Sequence, residues 1–176
     1  MASELRWSIP VGIDDVPPEG RDYAFAADEG ERAAIAQALG LVAVPRLDAR
    51  LNVSRTAGDG LRVTGNVAAT VTQTCVVTLD PVDNELDEAV DISFSPDAEI
   101  DADEADADVE TDLEAPDPPD PLVNGRIDLA AIAVEFLQLG LDPYPRKPGA
   151  EFQPPGEGDQ VESPFSVLAS LKRPPQ

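Results

Sequence analysis

Two runs of alternating apolar and polar residues, separated by a short turn, constrain the fold of this chain more than any other feature. In the first run, residues 47–53, an apolar residue occupies every second position. The second run begins at Leu61 and keeps apolar or small residues at every second position as far as Val71. The segment Ala57–Gly60 between the runs contains the glycines of a tight turn. Because side chains along a strand point to opposite faces in turn, these runs predict a long antiparallel hairpin with one buried face.

Three further segments have the composition of strands. Residues Leu86–Phe94 place apolar residues at alternate positions in their second half. Two shorter segments near the start, Leu5–Val11 and Asp22–Ala26, flank the turn-rich stretch Asp14–Gly20. Together with the hairpin, these segments predict a twisted antiparallel sheet.

Two segments carry the start and stop signals of helices. Asp28 is suited to be the N-cap of the first helix, which has acidic residues in its first turn and Gly40 where a C-terminal cap belongs. Asp128 is the expected N-cap of the second, in which apolar residues from Leu129 to Leu137 recur at helical spacing. Because its apolar face is longer, we expect the second helix to be the main helix that packs on the sheet.

Acidic residues are concentrated in the middle of the chain. There are 12 Lys and Arg against 35 Asp and Glu, a net charge of −23, yet no Lys or Arg occurs from residue 63 to residue 125. Residues 97–120 alone hold 12 acids, no base and no aromatic residue. Such a segment cannot bury enough apolar surface to offset the loss of chain entropy, so it is predicted to be a disordered acidic insert.

The length of the chain and the order of these elements predict one α+β domain over residues 1–172. We expect a twisted antiparallel sheet with one main packing helix, a short N-terminal helix and a disordered acidic loop. Toward the C-terminus, Asp142–Phe152 is predicted to be an extended Pro-rich segment and 153–162 a linker. Residues 163–172 then have the pattern of a short amphipathic helix.

The absence of His and the presence of a single Cys exclude several classes of enzyme and metal site. Without His the chain has no Ser-His-Asp triad and no histidine metal ligand, and Cys75 lacks a general base. The acidic insert also fails as a calcium loop, because position 6 counted from Asp106 is Thr111 instead of Gly. We therefore expect no metal, no cofactor and no catalytic residue, with a carboxylate-based hydrolase as a minor alternative.

The basic residues indicate two candidate sites of contact with RNA or another partner. Four arginines of the predicted hairpin form the first site: Arg46, Arg50, Arg55 and Arg62. The second site is formed by Arg146 and Lys147 in the Pro-rich segment. The alternative interpretation is an ordinary solubilising surface.

The net charge limits the classes of partner. It repels phosphate at long range, which argues against a generic nucleic-acid binder that relies on counterion release. It favours a basic protein, or RNA held through a local, less acidic face. An acidic decoy that sequesters basic proteins is therefore the alternative function from another class.

The first residues lack the charged and apolar regions of a signal peptide, and no segment approaches the roughly 18–20 apolar residues of a membrane span. These features predict a cytoplasmic location.

Four segments match the motifs of a known family. VTQTCVVTLDPV at 71–82 is similar to a central block built around a Cys, a Leu and a Pro, and LDEAVDISFSP follows it as the next strand. The helical region at 127–152 and SPFSVLASLK at 163–172 correspond to the family's helix and its terminal motif. In order and spacing these segments resemble the YceD family, the large-subunit ribosomal RNA accumulation proteins. The residues that match the family motifs are Cys75, Leu79, Pro81, Phe165, Leu168 and Lys172.

The resemblance implies a non-catalytic ribosome-biogenesis factor in the bacterial cytoplasm that supports the accumulation of large-subunit ribosomal RNA. Its implied partners are that RNA or its precursors, a basic ribosomal protein, or both, with no membrane and no small-molecule substrate.

This chain departs from the family in its cysteines. Many relatives have a Cys-x-x-Cys in the central block, and some add a second pair, a set typical of a zinc site. Here Thr78 takes the place of the second Cys, and Asp142–Phe152 contains none. The chain thus resembles the alphaproteobacterial branch without the zinc cysteines. We expect the packing of the sheet against the second helix to hold the domain instead.

Overall fold

The computed structural model describes residues 7–98 and 118–152, which form an α+β fold. In chain order the elements are β1 (Pro10–Gly12), β2 (Arg21–Ala26), α1 (Glu29–Leu39), β3 (Ala43–Arg55), β4 (Leu61–Thr74), β5 (Pro81–Ser95), β6 (Asp120–Pro121), β7 (Arg126–Asp128) and α2 (Leu129–Leu139). Five strands form the main sheet in the order β2-β3-β4-β5-β6, and β1 pairs with β7 in a separate two-stranded ribbon.

The predicted hairpin is confirmed. β3 and β4 are antiparallel neighbours along most of their length, and Val53 lies opposite Val63. Both side chains are fully buried, as the alternation in the sequence requires. β5 then pairs antiparallel with the whole of β4, which completes the central three strands.

One face of the five-stranded sheet carries the core of the domain. Ile35 of α1 and both Leu129 and Leu137 of α2 are fully buried and belong to the same apolar cluster as the inward-facing strand residues. Trp7 packs edge-on against Phe25 of β2, with 5.7 Å between the ring centres. Since a fully buried side chain of this size contributes about 1.5–3 kcal/mol, the packing of the helices on the sheet stabilises the domain by several kcal/mol.

Both helices begin at the predicted caps. The Asp28 carboxylate accepts from the Glu31 N–H at 2.8 Å, and the Glu31 carboxylate accepts from the Asp28 N–H at 2.7 Å. Gly40 ends α1 in the left-handed conformation, with φ +66°. Asp128 caps α2 and also accepts the N–H of Ile9 at 2.8 Å. The second cap therefore also attaches the N-terminal segment to α2.

The N-terminal strand differs from its prediction. The sequence pattern indicated a strand over Leu5–Val11, whereas β1 covers Pro10–Gly12, and residues 5 and 6 lie outside the described part of the chain. Its partner β7 was not predicted, because three residues directly before a helix carry no periodic signal. The pairing depends on the contact between the N-terminal segment and Asp128, which is about 120 positions away in the sequence.

The sheet is mixed and not wholly antiparallel, because β6 pairs parallel with the end of β5. β6 begins at Asp120, which the composition had placed in the acidic insert. β5 is also longer than predicted, since it begins at Pro81 and not at Leu86. Three of the extra residues, Asp83–Glu85, are polar, and all five pair with the far end of β4. Pairing with β4 therefore extends the strand beyond its apolar pattern.

Several predictions concern residues outside the described ranges. Most of the acidic insert (99–117), the linker at 153–162 and the amphipathic helix at 163–172 with Phe165, Leu168 and Lys172 belong to this group. Within the described ranges, neither helix is long and apolar enough to cross a membrane.

Candidate interaction site

Two sets of predicted residues, separated by about seventy positions in the sequence, meet at one end of the sheet. We call residues 75–80, between β4 and β5, the Cys75 turn, and residues 142–150, after α2, the Pro-rich segment. The N–H of Val76 donates to the carbonyl of Pro145 at 2.9 Å. The side-chain amide of Gln73 donates to the carbonyl of Asp142, also at 2.9 Å. The Pro-rich segment is therefore held against the Cys75 turn by backbone groups.

The sulfur of Cys75 is the centre of this contact. The side chain is fully buried, and its Sγ accepts the backbone N–H groups of Val77, Thr78 and Lys147, each at 3.4 Å. The Lys147 N–H, followed by the hydroxyl and N–H of Thr78 and the N–H of Val77, lowers the pKa of the Cys75 thiol to about 6 against the opposing effect of burial. These N–H groups join the two segments at the sulfur and favour its thiolate form.

We expect the free energy of unfolding to fall as the pH is lowered from 9 to about 6. The folded pKa of Cys75 is below its ordinary value of 9.0, so the unfolded state binds more protons across this range and stability rises with pH. Asp80, whose pKa is lowered by Lys147, titrates below this range. The measurement is urea unfolding at several pH values, together with the ultraviolet absorbance of the thiolate.

The matched control is Cys75→Ser, which keeps the size of the side chain but has no group that titrates in this range. Its stability should vary less with pH between 6 and 9 than that of the wild type. The chain has no His, and the N-terminal amine is common to both proteins. Parallel stability curves for the two proteins would contradict the assignment of a thiolate.

The Cys75 turn does not supply the ligands of a structural zinc site. A structural zinc ion takes four protein ligands, and here the surroundings of Cys75 supply one thiolate. Its other neighbours are the hydroxyl and N–H of Thr78 and the N–H of Lys147, and an N–H group is not a metal ligand. Within the described ranges, no three His, Cys, Asp or Glu residues are grouped so as to hold a metal ion.

Apolar side chains are exposed at this end of the molecule. Val76 and Leu79 of the turn and Tyr144 of the Pro-rich segment are 47%, 76% and 70% exposed. Leu79 has φ +63°, a left-handed conformation that costs a bulky residue about 1–3 kcal/mol. Its N–H donates to the Cys75 carbonyl at 3.0 Å, which holds the strained turn in place. A strained turn that displays a large apolar side chain to solvent is a feature typical of interaction sites.

The predicted basic pair of the Pro-rich segment lies beside these apolar residues. Lys147 forms an ion pair with Asp80 at 3.1 Å, and this contact lowers the pKa of the Asp80 carboxyl. Arg146 is exposed. We call the surface formed by Val76, Leu79, Tyr144 and Arg146 the turn surface.

Three of the four predicted hairpin arginines contact groups of the protein itself. Arg62 forms two hydrogen bonds of 2.8 and 2.7 Å to Asp91, which raise the pKa of the arginine and lower that of the carboxyl. Arg46 pairs with Asp48 at 3.1 Å.

Arg55 donates to the backbone carbonyl of Val16 at 2.6 Å. Arg50 is exposed and has no hydrogen-bonding or ion-pair partner among residues 7–98 and 118–152. Since two of the four positive charges are compensated by neighbouring carboxylates, the structure does not present these arginines as a continuous basic surface. That they contact RNA stays a prediction.

Sequence reasoning identified Cys75, Leu79 and Pro81 but missed Val76 and Tyr144. Pro81 is the first residue of β5 and is exposed. Tyr144 lies between two prolines, where neither a helix nor a central strand can form, so the sequence indicates a loop position for it, and loops usually lie at the surface. No pattern in the sequence indicated the exposure of Val76, which depends on the shape of the turn.

Comparison with known families identifies one match. A family model described as "Large ribosomal RNA subunit accumulation protein YceD" matches residues 63–172, more than half of the chain. The matched region includes most of β4 and the whole of β5, the Cys75 turn and the Pro-rich segment. No curated protein and no solved structure matches the chain.

Proposed function

The chain belongs to the YceD family, and on this basis we propose that it supports the accumulation of large-subunit ribosomal RNA as a non-catalytic ribosome-biogenesis factor. It acts by binding the RNA, its precursors or a basic ribosomal protein. Because ribosomal subunits are assembled in the bacterial cytoplasm, we expect the protein to be located there.

The turn surface is the structural observation that carries this proposal. It lies within the region matched by the family model and combines three exposed apolar side chains with the exposed Arg146. These side chains lie on two segments that contact each other, and exposed apolar residues in such a region are typical of contacts with a macromolecule. Arg146 can attract the phosphates of RNA, and the ring of Tyr144 can stack on a base. The same two side chains can also contact a protein surface.

The environment of Cys75 supports a binding role in preference to catalysis. Its sulfur is fully buried and surrounded by N–H donors, so a substrate has no access to it. Many carboxylates of the sheet are exposed and hydrogen-bond to neighbouring side chains, as Asp83 does with Thr72 at 2.6 Å. They are not enclosed in an apolar pocket that would raise a carboxyl pKa for acid–base catalysis.

We expect Leu79→Asn with Tyr144→Ser to reduce the fraction of protein that sediments with large-subunit precursors at least fivefold. Asn tolerates the left-handed conformation at residue 79, so the double variant should fold with unchanged or slightly higher stability. The measurement is sucrose-gradient separation of lysate at low and moderate salt, with the tagged protein detected by blot.

The matched control is Val123→Ser with Leu139→Ser, which removes two exposed apolar residues elsewhere on the domain. This variant should sediment like the wild type. Equal sedimentation of both double variants with precursors would mean that the turn surface is not the contact. If depletion of the protein left large-subunit RNA and particle profiles unchanged, the proposed function itself would be wrong.

The acidic decoy makes a different prediction. A decoy would bind many basic proteins equally and would stay in the top fractions of the gradient. It would also depend on the acidic insert and not on the turn surface, so the substitutions at Leu79 and Tyr144 would leave its binding unchanged.

A further inference from the structure

The outer edge of β5 is a long strand edge without a strand beside it. β5 pairs with β4 on its inner side along its length, but on its outer side it pairs with β6 only at Phe94 and Ser95. Within the described part of the chain, residues 81–93 therefore have no neighbouring strand on that side. Alternate N–H and C=O groups of such an edge point outward, where they can pair with a further strand.

The length of this edge is unusual for a soluble protein. Thirteen residues of strand extend over roughly 40 Å, whereas edge strands are usually kept short, interrupted by Pro or protected by charged side chains, most often Lys. β5 has Pro only at its first position and contains no Lys or Arg. It carries five carboxylates instead, at Asp83, Glu85, Asp87, Glu88 and Asp91.

The carboxylates have a spacing that matches an added strand. Asp83, Glu85 and Asp87 occupy alternate positions, so they lie on one face of the sheet, the face opposite the core. Asp83 accepts from the hydroxyl of Thr72 and Asp87 from the side-chain amide of Asn66, and both donors are neutral. Their negative charges are therefore not compensated by these contacts.

We propose that the outer edge of β5 binds an extended, basic protein segment as an added strand, with Lys or Arg at alternate positions opposite Asp83, Glu85 and Asp87. Backbone hydrogen bonds provide the pairing, and the row of carboxylates selects the basic segment and its register. This inference rests on the proposed function and narrows its partner to a protein. A second copy of this chain does not fit, because two acidic edges repel each other, and the phosphates of RNA are repelled for the same reason.

The probe for this proposal is a synthetic peptide that alternates Lys and Thr over the length of the edge. The control peptide has the same number of Lys residues but Pro at every third position, which prevents strand pairing. We expect the alternating peptide to bind the full chain at least about tenfold more tightly. Hydrogen exchange should slow at outward-facing amides of residues 82–93 when the alternating peptide is present.

The variant Glu85→Gln with Asp87→Asn removes two charges and keeps the shape of the strand. It should bind the alternating peptide about tenfold more weakly than the wild type. The matched control, Asp14→Asn with Glu19→Gln, removes two charges near β2, at the opposite edge of the sheet, and should bind like the wild type.

Equal affinity for the two peptides would overturn the proposal, because it would mean that charge alone, including that of the acidic insert, accounts for binding. Unchanged exchange in β5, dimerisation through this edge, or preferential binding of an RNA oligonucleotide at β5 would also overturn it. If only the proposed ribosomal function were wrong, the outcome would be different. The edge would still select the alternating peptide, while depletion of the protein left large-subunit RNA unchanged.

Discussion

Replacing Gly65 with Ala is expected to lower the free energy of unfolding by about 3 kcal/mol. Gly65 lies in the middle of β4, opposite Leu51 of β3, with φ +147°, a conformation that residues with a side chain rarely adopt. An added Cβ would overlap the carbonyl oxygen of Arg50 and lie 2.9 Å from the Cα of Leu51. Both atoms belong to the backbone, so no side-chain rotation relieves the contact, and the central hairpin must shift.

The measurement is urea denaturation of wild type and Gly65→Ala under the same conditions. The expected loss is a large fraction of the total free energy of unfolding, which is roughly 5–15 kcal/mol for a domain. Gly30→Ala is the matched control. Gly30 lies in the first turn of α1 with room for a methyl group, so the change should raise stability by about 0.5–1 kcal/mol. Similar stability of Gly65→Ala and wild type would show that β3 and β4 do not approach each other this closely.

The second large effect is expected for Leu137→Ala, which should cost about 2–5 kcal/mol. Leu137 is fully buried where α2 packs on the sheet, and truncating it removes apolar contacts and leaves a cavity. The change is also expected to loosen the Pro-rich segment, because α2 leads directly into it. Hydrogen exchange at the Lys147 amide, which donates to Cys75, reports this second effect.

Leu139→Ala is the control for this prediction, since it is the same substitution two residues along the same helix. Leu139 is 72% exposed, so its loss should change stability by no more than about 0.5 kcal/mol. The contrast between the two variants measures how firmly the buried face of α2 is packed. Equal effects would mean that the orientation of α2 on the sheet differs from the one described.

The hairpin arginines show why sequence reasoning predicted the fold more easily than the interaction site. Arg62 was expected on the solvent-facing side of its strand, and it lies there, because strand periodicity decides which face a residue occupies. Its ion pair with Asp91 depends on the register between β4 and β5. A periodic pattern predicts which face of the sheet a residue occupies, but it does not predict which residue of the neighbouring strand lies beside it. The sequence therefore predicted that the arginines are exposed, but not that carboxylates neutralise two of them.

The elements whose signals are local could be predicted from the amino-acid sequence alone. The alternation around Val53 and Val63 specified the hairpin and its buried face, and the side chains of Asp28 and Asp128 specified where the helices begin. Each of these signals involves neighbours within a few positions, where the geometry of the backbone is the same in every protein.

No local signal predicted which distant segments meet, because this depends on how the folded elements pack together. The tertiary structure placed Lys147 against Cys75, paired β1 with β7, and left the outer side of β5 without a neighbouring strand in the described part of the chain. The contacts of Lys147 with Cys75 and of β1 with β7 join segments about 70 to 120 positions apart, and they form only when the helices pack on the sheet. Hydrophobic burial drives this packing but does not itself specify which segments pair. The pairs of segments that meet therefore depend on the shape of the assembled core.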